Sequence, residues 1–528
     1  MKKFCVLFLL LALVFTLFAG CSNTETPAPS QTPSSGNNGG KTTPPPSNTP
    51  DPGEDEDEEP VTIEFWLADS AYIGLNGTKA DLVNQAISDY AEEQIGVRVH
   101  LNWIQAADYP TQLTLAIANQ ETIDLAMFTP PAMQFGVIYN KDFASDITDL
   151  MNEYGQDILG TLGDYIKATS PGGRIYGVPT YRLLNMNQYL VMRKDILDEL
   201  GMTALAENPA SWDDVESIFA AFKAADYDFY AFGGGFSSGL GGDRPYYVGQ
   251  QMGKIKAFDT LGDTNNIVFT DDNGNVSILT ELPEWVNGAK RIRSWFDAGY
   301  IHPDVYTETK GERELLANNT IFGFFIISEF GVESSVLQQS GYEAVCNQLT
   351  AGVVDTAACV KFGLFVPVTA TEPAAAVRFM NLLYTDANLV NLIVWGVEGE
   401  TYVVNDKGEA CYPEGTEAAT CGYHGQDFKW GSQFLAMPWD GQGSDWRVRS
   451  EANFLSASPS KYLGFLADLT EYDTLTVAMA TVKAEYLIQL CSGNYSDELY
   501  DEYIQKLKAT GVDDYIGVFQ QQLSDFMG

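Results

Sequence analysis

The chain has 528 residues, too many for a single hydrophobic core, and so predicts two lobes or domains. Hydrophobic residues make up 45% and aromatic residues 12%, which excludes a disordered acidic protein and indicates folded cores. The formal net charge of −41 argues against a nucleic-acid partner, because a phosphate backbone would be repelled.

The N-terminal segment has the pattern of a secretion signal. Two lysines precede an uncharged apolar run (residues 4–18), and two small residues then precede Cys21. A run of roughly 15 apolar residues is short for a membrane-spanning helix and fits a signal peptide, here residues 1–20. The FAGC ending resembles a bacterial lipobox, which implies that Cys21 is diacylated and becomes the mature N-terminus. Ordinary secretion with cleavage nearby is the alternative.

Residues 21–60 predict a tether. The segment is rich in Ser, Thr, Pro, Gly and Asn and closes with an acidic block at residues 54–59. With almost no apolar residues it cannot fold alone. As a partly Pro-stiffened coil it would hold the folded part several nanometres from a membrane anchor, on the order of 5–6 Å × √n for n residues.

Cysteine and histidine usage bears on disulfides and metals. Apart from Cys5 and Cys21, the cysteines are Cys346, Cys359, Cys411, Cys421 and Cys491. The pairs 346/359 and 411/421 are plausible disulfides in an oxidising exterior, and the odd count leaves at least one thiol over. With three histidines and no CxxC motif, we expect neither a metal site nor a cofactor.

The run DDNGNVS (residues 271–277) has some features of a calcium loop. It lacks the glutamate at the twelfth position, where Leu282 stands. We expect a hairpin turn around Asn273 and Gly274 instead.

Folded sequence begins at Val61, where segments of alternating hydrophobicity are separated by segments of helical spacing. This order predicts βαβ units and a parallel sheet. Ligands of such sheets bind at the carboxyl ends of the strands, here near residues 68–70, 105–109 and 129–131. The predicted strands are VTIEFWL (61–67), VRVHLNW (97–103) and IDLAMF (123–128).

The middle of the chain predicts a first crossover into a second lobe near residues 172–182, followed by a strand and helix in NQYLVMRKDIL. Two apolar strands, NTIFGFFII and KFGLFVPV, are expected to return to the first lobe. The predicted allocation is lobe 1 at residues 61–180 and 319–370, and lobe 2 at residues 181–318 and 371–528. The last part, from Ser496, predicts two amphipathic helices.

The run WGVEGETY (residues 395–402) allows two interpretations. Glu398 and Glu400, if extended, would project on one face about 6.6–6.8 Å apart, which is near the roughly 6.5–9.5 Å separation of inverting glycosidases. An acid and a base must however flank the scissile bond from opposite sides. The run is therefore better interpreted as one wall of a cleft that binds a polar ligand.

The order of these segments resembles the extracellular solute-binding proteins of family 1, the receptors of ABC sugar importers. The resemblance rests on the lipobox, the tether and an ordered set of motifs, and it covers most of residues 61–528. WGVEGETYVV followed by DFKWGSQFLAMPW is similar to the oligosaccharide-receptor lipoproteins of Gram-positive bacteria. Residues 233–263 and 441–459 match no family segment. Other motifs of the set are KADLVNQAISDYAEEQIGVRVHLNW, DITDLM, RIYGVP, FFIISEF and FVPVTATEPAAAVRFMNLLYTD.

The resemblance implies an α/β, two-lobe periplasmic-binding-protein-like fold of type II. Each lobe would be a mainly parallel sheet flanked by helices, and hinge crossovers would join the lobes and let them close over a ligand. Sugars present apolar CH faces and a rim of hydroxyl groups, so aromatic platforms with carboxylate and amide partners suit them.

Carried over by position, the resemblance implies ligand-binding side chains after the strands, on the crossover and in the late tryptophan segments. Glu329 and Phe330 stand where relatives place an aromatic platform, and Trp395 stands at a late platform tryptophan. The full set is Asp69, Ser70, Asp108, Thr129, Tyr181, Glu329, Phe330, Trp395, Glu398 and Trp439.

The resemblance therefore implies a lipid-anchored receptor on the extracellular face of the cell membrane, monomeric, that captures an oligosaccharide and delivers it to ABC permease subunits. It implies no enzymatic activity. A secreted carbohydrate-active hydrolase and a receptor of the same fold for a peptide or other non-sugar ligand are the alternatives.

Overall fold

A computed structural model describes residues 60–69, 77–130, 133–233, 240–263, 265–350 and 352–528. The predicted signal peptide, Cys21, nearly all of the tether, and Ser70 lie outside the described residues. Within the described ranges, no helix is long and apolar enough to cross a membrane.

The strands of the described ranges are mostly short, with two to five residues in all but four of them. They are β1 (Val61–Asp69), β2 (Val97–Gln105), β3 (Leu125–Phe128), β4 (Val178–Pro179), β5 (Asn187–Arg193), β6 (Tyr230–Phe232), β7 (Val268–Thr270), β8 (Val276–Ile278), β9 (Ile321–Ser328), β10 (Ala344–Gln348), β11 (Val353–Val354), β12 (Gly363–Phe365), β13 (Val403–Val404), β14 (Ala410–Cys411) and β15 (Ser458–Pro459).

The helices surround these sheets. They are α1 (Ala80–Ile95), α2 (Tyr109–Ala118), α3 (Phe135–Asn140), α4 (Thr148–Tyr154), α5 (Gln156–Leu162), α6 (Lys194–Leu200), α7 (Thr203–Glu207), α8 (Trp212–Ala224), α9 (Arg244–Val248), α10 (Pro283–Asp297), α11 (Glu312–Ala317), α12 (Val332–Ser340), α13 (Thr356–Cys359), α14 (Pro373–Thr385), α15 (Ala387–Trp395), α16 (Trp446–Leu455), α17 (Asp473–Ser492), α18 (Asp497–Ala509) and α19 (Val512–Met527).

The first sheet has the strand order β2-β1-β3-β12-β4. β1 is parallel to β2 and β3, as the alternating strand and helix segments predict, whereas β12 is antiparallel to β3 and β4. In β1 the alternating residues Ile63, Phe65 and Leu67 are fully buried. The carboxyl ends of β1 and β3 thus lie at one edge of this sheet, where α/β proteins bind ligands.

The second sheet has the order β10-β5-β9-β6 and is mostly antiparallel, which corrects the expectation of a mainly parallel sheet in each lobe. β5 pairs antiparallel with β9 and β10, and only β6 with β9 is parallel. The reason is the chain path: β5 runs into the lobe from the crossover, and β9 runs back toward it. All seven residues of β5 are buried, because packed side chains cover both faces of this sheet.

Three hydrophobic clusters in the described residues define the lobes. We call residues 60–184 and 354–454 the first lobe, because they supply the cluster around the first sheet. Residues 190–349 and 465–528 form the second lobe, in which one cluster covers one face of the second sheet and a smaller cluster covers the other face. The chain passes between the clusters near residues 185–189, 350–353 and 455–464. Two of these crossovers pair with each other as the parallel strands β11 and β15.

Two segments, residues 319–349 and 371–454, lie in the opposite lobe from the one predicted. β9, expected at residues 319–327 as a return to the first lobe, is instead the second strand from one edge of the second sheet. α14, expected in lobe 2, buries Ala375, Phe379 and Leu383 in the first-lobe cluster. The sequence of a wholly apolar strand or of an amphipathic helix does not indicate which sheet it joins. Periodicity therefore predicted these elements but not the lobe to which each belongs.

The predicted disulfides are wrong, because the five cysteines of the described ranges are free. Cys346 lies in β10 of the second sheet, whereas Cys359 is buried in the first-lobe cluster. Cys421 lies within hydrogen-bonding distance of the Tyr423 carbonyl oxygen, 3.2 Å away. Burial raises the pKa of the Cys346 and Cys359 thiols and keeps them in the unreactive protonated form.

Asp124 joins the first sheet to the start of α14. Its buried carboxylate accepts hydrogen bonds from the backbone N–H groups of Glu64 (2.9 Å), Thr371 (2.8 Å) and Glu372 (2.9 Å). We expect Asp124→Ala to lower the free energy of unfolding in urea by about 3 kcal/mol, since these donors lose their acceptor. The exposed Glu121→Ala is the matched control and should stay within about 0.5 kcal/mol of the parent. Equal effects of the two changes would contradict this role.

Candidate functional site: a cavity between the lobes

A cavity of about 550 Å³ lies between the two lobes. The second lobe supplies the end of β9 and the start of α12, and the first lobe supplies residues 439–442 and Trp446. Met186, on the first crossover, completes the lining. The volume lies within the range of roughly 300–1,000 Å³ typical of pockets that hold a small organic ligand.

The second-lobe wall is built where β9 ends. Phe330 follows the strand, and its ring centroid lies 5.3 Å from that of Trp446 in the first lobe. Gly331 then turns the chain into α12 with a φ of 83°. A Cβ atom at Gly331 would lie 1.9 Å from the Trp446 ring, so only glycine fits between the lobes here.

Glu329 brings a carboxylate to this wall with 39% of its side chain exposed. The Arg182 guanidinium lies 3.9 Å away and donates hydrogen bonds to two backbone carbonyl groups. Burial raises the pKa of Glu329, and the charge of Asp427 adds to the rise, whereas Arg182 and Lys361 oppose it. The raised pKa of Glu329 therefore reflects mainly the loss of solvent around its carboxylate.

The first-lobe wall is an aromatic platform. The Trp439 ring lies 4.8 Å from the rings of Trp395 and His424 and 4.6 Å from that of Tyr412, measured between centroids. Trp395 is only 5% exposed, and its indole N–H lies 3.3 Å from the Met437 carbonyl oxygen. Of these two tryptophans, Trp439 lines the cavity, and Trp395 packs against it outside the lining.

The loop that carries Trp439 is held by Arg447. Its guanidinium donates to the carbonyl oxygens of Ala436 (2.8 Å) and Met437 (3.0 Å) and forms an ion pair with Asp427 at 2.7 Å. The Met437 N–H also donates to the Asn391 side chain at 2.8 Å. These bonds fix the platform in place before any ligand arrives, which lowers the entropic cost of binding.

Three predicted site residues meet at the cavity: Glu329, Phe330 and Trp439. Glu398 is exposed in a turn next to Gly399, whose φ is 80°, so the extended geometry considered for Glu398 and Glu400 is wrong. The Glu400 carboxylate forms an ion pair with Lys79 at 3.0 Å.

Asp69 ends β1 at the edge of the first sheet and is 1% exposed. Its charge acts on Lys429: burial lowers the pKa of this lysine to about 8, and Asp69 opposes the shift. The two side chains therefore form a buried polar site at the sheet edge, outside the cavity lining. Ser70, predicted beside Asp69, lies outside the described residues.

Three further predicted residues do not line the cavity. Thr129 is 5% exposed and exchanges backbone hydrogen bonds of 2.8 Å with Met133. Tyr181, on the crossover, donates its hydroxyl to Glu451 at 3.2 Å. Asp108 is exposed directly before α2. Ligand binding by these residues stays a prediction.

Sequence reasoning missed Met186, Gly331 and Trp446. Trp446 lies in a segment that matched no family pattern, although a tryptophan after a Gly- and Asp-rich turn was a usable signal. Gly331 directly follows the predicted platform residue Phe330, and its need for a positive φ appears only once the neighbouring ring is known.

The run at residues 271–277 forms the predicted hairpin turn between β7 and β8. The Asp271 carboxylate accepts hydrogen bonds from the N–H groups of Asn273 (2.8 Å) and Asn275 (2.9 Å). Across the described ranges, no group of three or more His, Cys, Asp or Glu side chains is placed to hold a metal ion.

Comparison with known proteins places the chain in a family. The family of bacterial extracellular solute-binding proteins matches residues 76–389, and a domain of unknown function matches residues 461–528. A carbohydrate ABC transporter substrate-binding protein of Streptococcus pneumoniae is 22% identical over 470 residues, which are 85% of this chain and 89% of the relative.

Solved structures share the fold. The N-glycan transport solute binding protein of S. pneumoniae has a TM-score of 0.70 at 18% identity, covering 88% of this chain and 99% of that one. An HMO-binding, ABC-transporter-associated solute binding protein of Bifidobacterium longum infantis has a TM-score of 0.61 at 16% identity, covering 89% and 99%. These likenesses confirm the two-lobe α/β fold. Since the family match spans 314 of the 528 residues (76 to 389), the chain belongs to the bacterial extracellular solute-binding proteins.

Proposed function

We propose that this protein is the receptor of an ABC importer and captures an oligosaccharide in the cavity between its lobes. The observation that carries the proposal is the pairing of an aromatic platform on one lobe, Trp439, with a carboxylate on the other, Glu329, across one cavity. Aromatic faces suit the CH faces of sugar rings, and a carboxylate accepts hydrogen bonds from their hydroxyl groups. The S. pneumoniae relative, a carbohydrate transporter protein, supports this ligand class.

Hinge closure is the proposed mode of capture. The lobes are joined by three short crossovers, and two of these pair over only two residues each, in β11 and β15. Hinges of this kind absorb a change of backbone angle at a few residues while the lobes move as rigid bodies. Because each lobe supplies one wall of the cavity, closure would bring both walls onto the ligand.

The anchor, the partners and the oligomeric state complete the proposal. The lipobox-like FAGC and the polar tether support attachment by a diacylglycerol on Cys21 to the outer face of the cell membrane. Family membership supports an extracellular location and delivery of the ligand to permease subunits. We propose that the receptor acts as a monomer, and that a peptide is the alternative ligand on the same fold.

Trp439→Ala should weaken oligosaccharide binding by about 2 kcal/mol, roughly thirtyfold in Kd, because the platform ring is lost. Calorimetry against neutral oligosaccharides and peptides measures this. Trp103→Ala is the matched control, since Trp103 is a partly exposed first-lobe tryptophan outside the cavity lining. Trp395→Ala should instead lower the free energy of unfolding by about 3–5 kcal/mol, because the ring is buried. Unchanged binding in Trp439→Ala would contradict the platform role.

Binding should weaken as the pH falls from neutral through the raised pKa of Glu329. The ionised carboxylate is the form that accepts hydrogen bonds from ligand hydroxyl groups, so affinity is full above this pKa and is lost below it. Titration calorimetry at a series of pH values measures the effect, and Glu329→Gln should flatten the profile over the same range. An equal fall of affinity in parent and variant would assign the titration to another group.

Incubation with oligosaccharides should produce no new reducing ends, because Glu400 is tied to Lys79 and Glu398 points into an exposed turn. A reducing-sugar assay over many hours tests this. Reducing ends that appear with the parent and vanish in the Glu398→Gln/Glu400→Gln double variant would favour the hydrolase alternative.

A further inference from the structure

We infer that the cavity selects oligosaccharides that are uncharged or carry amino groups, and that it rejects those with carboxylate, sulfate or phosphate groups. The inference rests on the proposed function and names the ligand class of that site. It follows from the charges that line the cavity and from the pairing of the cations around it.

Two charged residues of the described ranges line the cavity, and both are acidic. They are Glu329 on the second lobe and Asp440 on the first, and no lysine, arginine or histidine of the described ranges joins them in the lining. The rest of the lining consists of apolar, aromatic, serine, glutamine and glycine residues. Serine hydroxyl and glutamine amide groups both donate and accept hydrogen bonds, which suits sugar hydroxyl groups.

The nearby arginines are engaged with other acceptors. Arg182 is 6% exposed and donates to two backbone carbonyl groups besides its contact with Glu329. Arg447 pairs with Asp427 at 2.7 Å. Arg449 pairs with Asp445 at 3.1 Å, and its guanidinium lies 5.8 Å from the centroid of the Phe330 ring. None of the three lines the cavity.

Lys361 is the remaining cation whose charge acts on Glu329. It lies outside the cavity lining, and the charge of Asp355 acts on it as well. Burial is the largest cause of the upward shift in the Glu329 pKa, and Arg182 and Lys361 oppose it. An anionic sugar would add a further negative charge to the site, and like charges at close range repel each other strongly where water is partly excluded.

An amino group would have the opposite effect. A sugar ammonium group beside Glu329 or Asp440 would form a charge-assisted hydrogen bond, which is shorter and stronger than a neutral one. The expected order of affinity is therefore amino sugars at least equal to neutral sugars, and both well above uronates of the same size and linkage.

The test uses the full chain and separate pools of short oligosaccharides. Neutral pools come from starch, cellulose and mannan, amino pools from deacetylated chitin, and anionic pools from pectate and alginate. Thermal melts identify the pools that bind, and calorimetry gives the Kd of the best neutral or amino ligand. The same ligand with its primary hydroxyl groups oxidised to carboxylates should bind at least about tenfold more weakly. In Glu329→Gln the ratio of the two affinities should shrink.

The control is Glu333→Gln, which removes an equal charge from an exposed position on α12 outside the cavity lining. In this variant, the ratio of the affinities for the unoxidised and the oxidised ligand should match that of the parent. Binding of the oxidised ligand or of a uronate pool as tightly as the neutral ligand, and abolished by Trp439→Ala, would overturn this inference and leave the proposed function standing. If no pool of any charge raises the melting temperature, the proposed function itself fails.

Discussion

The contact between Gly331 and the Trp446 ring sets the distance between the two lobes at the cavity. It joins the end of β9 to the start of α16, and the space between them would not admit even one methyl group. Phe330 packs against the same tryptophan, so the two lobes meet through aromatic surface. Glu329 stands directly before this contact, which explains why its carboxylate faces the first lobe. The position of the Glu329 carboxylate relative to the first lobe depends on that close approach.

The first-lobe wall of the cavity combines a buried ring with a partly exposed one. Trp395 ends α15 within the first-lobe cluster, and Trp439 lies against it with its other side toward the cavity. Arg447 and Asn391 form hydrogen bonds with the backbone of residues 436 and 437, just before Trp439. The Trp439 ring therefore has little freedom to move. Rigid aromatic groups bind at a small entropic cost, and this arrangement supplies one.

Sequence periodicity predicted the elements well and their partners less well. The alternation in residues 61–67 and 97–103 identified β1 and β2 and their parallel pairing. The apolar run that forms β9 does not indicate that it pairs with β5. A strand buried on both faces lacks the alternation of polar and apolar residues from which its orientation in a sheet could be predicted. Family position identified Glu329, Phe330 and Trp439, whereas Trp446 and Gly331 were missed because their roles arise only from packing between lobes.

Each lobe is assembled from two distant stretches of chain, and this has a consequence for secretion. The first-lobe cluster needs residues as late as Leu463, and the second-lobe cluster needs residues as late as Leu523. A chain that emerges from the ribosome N-terminus first can therefore complete neither core until nearly all of it has been made. Contacts between such distant residues form slowly, because long loops must close first. Folding of both lobes is thus completed late, so the chain stays unfolded, and able to pass through an export channel, for longer.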